Sequence, residues 1–343
     1  MKSILPSALF ALLIFISSCA TKEKEKSGDS RLLGAGFGIA STTIIVKNLD
    51  SARNYYFNSL GFNMPPRKRF KKVIYEGTLS ASLEFADWSV LELLSVKDTA
   101  TVAAKHPFIL SFLKQHEGAR MYSMLTSSVD TTLRWLKSQG FKPDSPRSGR
   151  FTAELPKGWN WDDGGAQYRS LAFNYINPPA FLPAFDEIVG LPYQEIESTW
   201  KPYSWRKYYD NHPNGVVGIS FLRIVVSDLK ASKNEFIKMG FEQLKSGDTL
   251  SRFRVAHNQE LQIIESKSPG DAPEKFLKSR GPGVYAIGFE VNQLLYLCNT
   301  KEGLGVISVI AIPRIPLFEA NGGRLIERVI FWPVLSCHVI GIL

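Results

Sequence analysis

IIVKNLDSARNYYFNSLGF, residues 44–62, and IVVSDLKASKNEFIKMGF, residues 224–241, are two copies of one unit. Ile44 and Ile224 open them 180 positions apart (224 − 44), and the second copy is one residue shorter before its Gly-Phe. Self-similarity over that distance is the mark of a duplication. Each copy reads as an apolar strand, then a helix with Asn48 or Asp228 as its N-cap, then Gly61 or Gly240 to supply the left-handed residue that closes a helix. Weaker echoes run through residues 128–141 and 289–304. Four strand–helix–glycine units are therefore expected, and an α+β fold with them.

Outward from the repeat, 343 residues with 44% hydrophobic and 21% charged content suffice for two domains with cores of their own. The net charge of +9 comes from scattered Lys and Arg with one dense run, RKRFKK at residues 67–72, which reads as a solvated loop. At the N-terminus Lys2 precedes an apolar run over residues 4–16, followed by Ser17-Ser18-Cys19. That run is too short to span a bilayer core, which needs about 20 helical residues. Small residues before a cysteine resemble the lipobox of bacterial lipoproteins. The resemblance implies a signal peptide over residues 1–18, lipid attachment at Cys19, a tether over residues 19–36 and a lipid-anchored place in the cell envelope. Export argues against a nucleic-acid partner.

Residues 37–176 form the expected first domain of two modules, and residues 216–343 the second. Between them, residues 177–215 carry six prolines and many aromatics, and are expected to form a structured strap. Within the first domain, strands are expected near residues 37–46, 72–75, 79–85 and 89–96, with helices over residues 50–60, 106–117 and 129–139. A hairpin is expected to turn at Asp162-Asp163-Gly164-Gly165. The connectors repeat as well: Phe112-Leu113-Lys114 before Gly118 matches Phe276-Leu277-Lys278 before Gly281.

Four βαβββ modules, with connectors leading into GPGVYAIGFEV at residues 281–291, resemble the vicinal oxygen chelate superfamily and within it the glyoxalase-like branch. The resemblance implies modules paired into two curved-sheet cups, and in many members a divalent metal held by side chains from the first and last strands of each module. The first-strand ligand positions would fall on Ser41, Met121, Phe221 and Ala286, none of them a histidine. On the last strands, Glu92 and Glu327 keep an acid where Gln262 brings an amide. Catalytic metals are held by three or four nitrogen, oxygen or sulfur donors at about 2 Å, so no metal ligand is assigned and no cofactor is expected, a divalent metal being the alternative.

Glu92 stands in an apolar strand opposite in direction to Leu91 and Leu93, which makes it the candidate general base or, equally, a solvent-facing carboxylate. Trp159 and Trp161, two apart, would share a strand face as an aromatic platform or as core. Surface or capping roles account for the five histidines. Cys298 and Cys337 either pair or remain thiols, and no Cys/His cluster suggests a metal site. Nucleotide-loop, serine-hydrolase elbow and HExxH motifs are all missing. The expected function is binding of a small organic ligand in a sheet cup without a metal. The alternatives are a metal-dependent lyase, isomerase or dioxygenase, and an envelope interaction scaffold.

Overall fold

The computed structural model describes residues 32–33, 38–64, 75–87, 89–150, 167–189, 211–256, 259–291 and 312–313. Both copies of the repeat fold as their residues dictate. In the first, β1 (Ile39–Ile45) leads to Asn48, whose side chain accepts from the Ser51 amide and starts α1 (Leu49–Asn54). In the other, β8 (Val216–Val225) leads to Asp228, which caps α5 (Leu229–Met239) by accepting from Ala231. Gly61 at φ 69° and Gly240 at φ 110° take the left-handed conformation that turns the chain back. The extra residue of the first copy is absorbed in a π-helical turn, Tyr55–Ser59, where the Leu60 amide reaches the Tyr55 carbonyl at 3.1 Å, five residues back. A one-residue insertion thus leaves Phe62 as well buried as its counterpart Phe241.

The first sheet contains β1, β2 (Thr78–Glu84), β3 (Val90–Val96), β4 (Gly118–Leu125), β5 (Arg147–Arg150), β6 (Gln167–Leu171) and β7 (Ala184–Ile188), in the order β2-β3-β1-β4-β7-β6-β5. At its centre β1 and β4 run antiparallel with Ser41 opposite Ser123 and Thr43 opposite Met121, and each is flanked by its own module's parallel last strand. The order is a two-fold repeat about the β1–β4 seam. The second sheet follows the same plan. Its described strands are β8, β9 (Glu242–Ser246), β10 (Leu250–Ala256), β11 (Gln259–Ile264), β12 (Gly283–Val291) and β13 (Ile312–Pro313), ordered β13-β12-β8-β11-β10-β9, with β12 antiparallel to β8.

Strand β7 lies inside the residues expected to form a strap, so the first domain extends at least to Ile188. Pro178, Pro179 and Pro183 all precede the strand, and its backbone groups are met by β4 on one side and β6 on the other. The helices not yet placed are α2 (Thr99–Lys105), α3 (Pro107–Gln115), α4 (Val129–Ser138) and α6 (Ala272–Arg280). Connector α2 was not expected as a separate helix. Asp98 caps it by accepting from Ala100 and Thr101, and Pro107 at the start of α3 divides the pair.

One face of the first sheet is apolar. Ile44, Ala81, Leu83, Leu91, Leu93, Tyr122 and Met124 lie there against Leu49 and Tyr56 near α1 and Val129 and Leu136 of α4. Burying each large side chain is worth roughly 1.5–3 kcal/mol. The same buried cluster continues into the second half through Ile224, Phe236, Leu261 and Phe289. Polar bonds fix the seam between the halves. Asp87 accepts from Ser89, Ile219 and Gln259, and Gly218 leaves the room this needs, since a side chain there would meet the Asp87 carboxylate at 2.2 Å.

Candidate functional site

The opposite face of the first sheet carries the chemistry. Strand alternation sets Ser80, Ser82 and Glu84 of β2 against the apolar Ala81 and Leu83, and places Glu92 opposite Ser82. On the central strands the same face holds Ser41, Thr43 and Ile45, and Met121 and Ser123. This face divides in two. At one end Ile45 and Leu94 are buried under Val102 of α2 and Phe108 and Ile109 of α3, with Tyr75 and Met121 packed alongside. At the other end the side chains are hydroxyls and carboxylates. An ordinary core would be apolar there, because buried polar groups cost free energy unless partnered.

The partners form a network. Ser41 and Ser123 share a hydrogen bond of 2.8 Å across the seam, and Thr43 donates to Glu92 at 3.1 Å. Asp186 of β7 accepts from the hydroxyls of Ser123 and Ser170. Thr43 and Ser123 each stand five residues before a helix N-cap, Asn48 and Ser128, so the two modules present one carboxylate each through equivalent hydroxyls. The Ser80 hydroxyl is buried with no partner among the described residues, leaving a donor unspent in the cup wall.

Burial raises the Asp186 carboxyl above the usual carboxylate range, against the lowering effect of its two serine partners. Burial also pushes the Tyr75 phenol well up, and the charges of Glu92 and then Asp186 push it further. The Tyr168 phenol is raised by burial first, then by Asp186 and Glu92. Both tyrosines are thus within electrostatic reach of both carboxylates. Tyr175 closes its edge: the phenol is pushed up to about 12, chiefly by burial, and the Arg147 guanidinium sits 4.0 Å from the ring centre.

Of the residues expected to form a site, Ser41 and Glu92 come together here. Met121 faces the same way but its sulfur accepts from the Tyr75 hydroxyl at 3.0 Å, at the apolar end. Trp159, Trp161 and Glu327, together with Cys19, Cys298 and Cys337, lie outside the described residues. Asp186, Ser80, Ser82 and Glu84 are additions. The Ser-x-Ser-x-Glu alternation of residues 80–84 carries the signal for three of them. Asp186 had no comparable signal, since its strand is five residues long and follows a proline-rich stretch.

The second sheet spends its expected site residues on structure. Phe221 packs against Gly288, where a side chain would meet its ring at 2.1 Å. Gln262 accepts two hydrogen bonds from the half-buried Arg223, at 3.0 and 2.8 Å, and Ala286 is buried beneath Phe276 of α6. Arg252 pairs with Glu260. This face is basic and aromatic where the first is acidic and hydroxylic.

The histidines divide between caps and core. His106 and His116 end α2 and α3, although His106 is also buried. His212 is buried rather than surface-exposed: Nδ1 accepts from the Asn63 amide at 3.0 Å, so Nε2 is the protonated nitrogen facing the Glu84 carbonyl at 3.0 Å. His257 and His338 lie outside the described residues.

A divalent metal of the kind this fold can hold needs at least three donors on one centre. Among the described residues no group of three His, Cys, Asp or Glu side chains could hold one. In the first cup the first-strand positions offer a hydroxyl already bonded to Ser123 and a thioether already bonded to Tyr75, and the Asp186 carboxylate is taken up by the Ser123 and Ser170 hydroxyls. The donor set there does not fit such a metal.

A family profile described as "Glyoxalase-like domain" matches residues 42–239, more than half of the chain. Among curated proteins none matches the sequence. A crystal structure of a hypothetical protein from Staphylococcus aureus is similar in fold with a TM-score of 0.55 at 10% identity, over 75% of this chain and 92% of that one. A mutant of 4-hydroxymandelate synthase from Streptomyces coelicolor aligns with a TM-score of 0.45 at 16% identity, over 76% and 72% of the two chains. Methylmalonyl-CoA epimerase from Mycobacterium tuberculosis aligns with a TM-score of 0.30 at 20% identity, over 45% and 89%.

Proposed function

The chain belongs to the glyoxalase-like domain family of the vicinal oxygen chelate superfamily, and from that premise we propose that its first cup binds a small organic ligand without a metal. The observation that carries the reading is the polar inner face, on which Thr43 donates to Glu92 and Ser123 links Ser41 to Asp186. Carboxylates accept hydrogen bonds, so the cup suits a neutral or cationic molecule rich in donors, such as a polyol or an amine. The apolar end under α3 excludes water from one side of the site, which strengthens each of these bonds.

A screen of polyols and amines by ligand-observed NMR on the full chain tests this. We expect saturable binding that chelator leaves unchanged, and a loss of at least about tenfold in affinity for Glu92→Gln, the effect of one charge-assisted hydrogen bond. Affinity that vanished with chelator, or a ligand indifferent to Glu92→Gln, would refute the reading.

Export and a lipid anchor at Cys19 complete the proposal, supported by the apolar run and small residues before that cysteine. Incorporation of labelled fatty acid in a bacterial host should disappear in Cys19→Ala. Label persisting in that variant would remove the anchor from the account.

A further inference from the structure

Away from the cup, one face of α3 forms the wall of a cavity of 340 Å³ where the two halves of the molecule meet. Phe108, Phe112 and His116 recur at helical spacing along that wall. Arg120 comes from β4, Arg280 from the end of α6 in the second half, and Ile176, 64% exposed, stands at the rim. The volume is that of a small-molecule site.

Both guanidiniums are half-buried and incompletely used. Arg120 donates through Nη2 to the Pro178 carbonyl at 2.7 Å, while its Nη1 is buried with no hydrogen-bond partner among the described residues. Arg280 donates through Nη1 to the Glu117 carbonyl at 2.9 Å, which ties the second half to the first. His116 Nε2 is likewise buried and, among the described residues, unpartnered. Among the described residues no carboxylate forms an ion pair with either arginine. Glu117, whose carbonyl Arg280 meets, accepts from the Lys47 amide with its own carboxylate. Two half-buried cations, one with an open donor and neither with a counter-charge among the described residues, are costly on their own, and an anion between them offsets that cost.

The apolar part of the cavity limits what the anion can be. Phe112 packs edge-on to His116 at 4.2 Å between ring centres, and Arg120 stacks over Phe108 at 5.5 Å. A hydrated inorganic ion would leave the phenylalanine wall and Ile176 uncovered. We propose that this junction cavity binds a small organic carboxylate carried on an aromatic or acyl body, its charge between Arg120 and Arg280 and its apolar part against Phe112 and Ile176. The Arg280 bond to Glu117 places the ligand across the two halves, so occupancy would also hold them together.

Calorimetric titration of the full chain with benzoate and with hexanoate, each against its neutral amide, tests the assignment. Saturable binding of the carboxylates but not the amides is expected, weakened about tenfold or more by Arg280→Gln and by raised salt. Ile176→Glu changes an exposed side chain and sets a competing carboxylate at the rim, so it should abolish binding in a folded protein. Equal binding of acid and amide overturns the proposal, as does affinity retained in Arg280→Gln and Ile176→Glu. Carboxylate binding lost in Asp186→Asn instead of Arg280→Gln would place the ligand in the cup and also overturn it.

Discussion

Phe62→Ala is expected to lower the free energy of unfolding by about 3–5 kcal/mol, the usual cost of truncating a fully buried phenylalanine. Phe62 is 1% exposed and touches four other rings: Tyr56 at 5.9 Å, Phe85 at 6.1 Å, Phe289 at 5.5 Å and His212 at 5.3 Å. Tyr56 belongs to the π turn, Phe85 follows β2, and Phe289 lies on β12 of the second sheet. One side chain therefore joins four segments from both halves, and the cavity left by alanine would have no single element free to collapse into it. Urea unfolding monitored on both halves should show one shifted transition. A loss under 1 kcal/mol would mean that the halves are held by the Asp87 seam and not by this cluster.

Acid should destabilise the protein through His212. Burial depresses its imidazole from the ordinary 6.5 to about 4, the bond facing the Glu84 carbonyl offsetting only part of that effect. The folded chain then refuses a proton that the unfolded chain accepts. Stability from this group is complete above pH 6.5, falls as the pH drops toward 4 and levels off below, a loss of about 3 kcal/mol for a shift of this size. His116, also held at about 4 by burial and by Arg280 and Arg120, adds in the same direction. Unfolding midpoints between pH 7 and pH 4 should fall steeply in the native sequence and less steeply in His212→Gln. Equal slopes would show that His212 is charged in the folded protein.

Much of this architecture is legible in two stretches of sequence. The repeat at residues 44–62 and 224–241 locates strand, cap, helix and glycine in both halves, because each step has a local physical cause. Even the length difference has its counterpart in the π turn at Tyr55–Ser59. The site is legible only in part. Ser41 and Glu92 follow from the strand pattern, and the alternation at residues 80–84 marks a polar face. Asp186 could not be read, since a five-residue strand following Pro178, Pro179 and Pro183 owes its existence to pairing with β4 and β6 and not to its own residues. Arg120 and Arg280 were equally silent, 160 positions apart (280 − 120) and joined by tertiary packing alone.

The difference between the two sheets follows from single positions. Equivalent strands carry Thr43 and Ser123 in one and Arg223 in the other, each five residues before its N-cap. A hydroxyl there orients a carboxylate, whereas an arginine takes up Gln262 and fills the space. The duplicated scaffold thus carries hydroxyls and carboxylates on this face of its first half and, among the described residues, an arginine–glutamine pair at the equivalent place in the second.

The most direct test is metal content by elemental mass spectrometry on the full chain, as purified and after incubation with Zn, Ni, Mn and Fe(II) followed by desalting. A cup built from Ser41, Thr43, Glu92, Ser123 and Asp186 should retain well under one equivalent of any of them. Near-stoichiometric metal that disappears in Glu92→Gln would contradict the account and make the cup a metal centre.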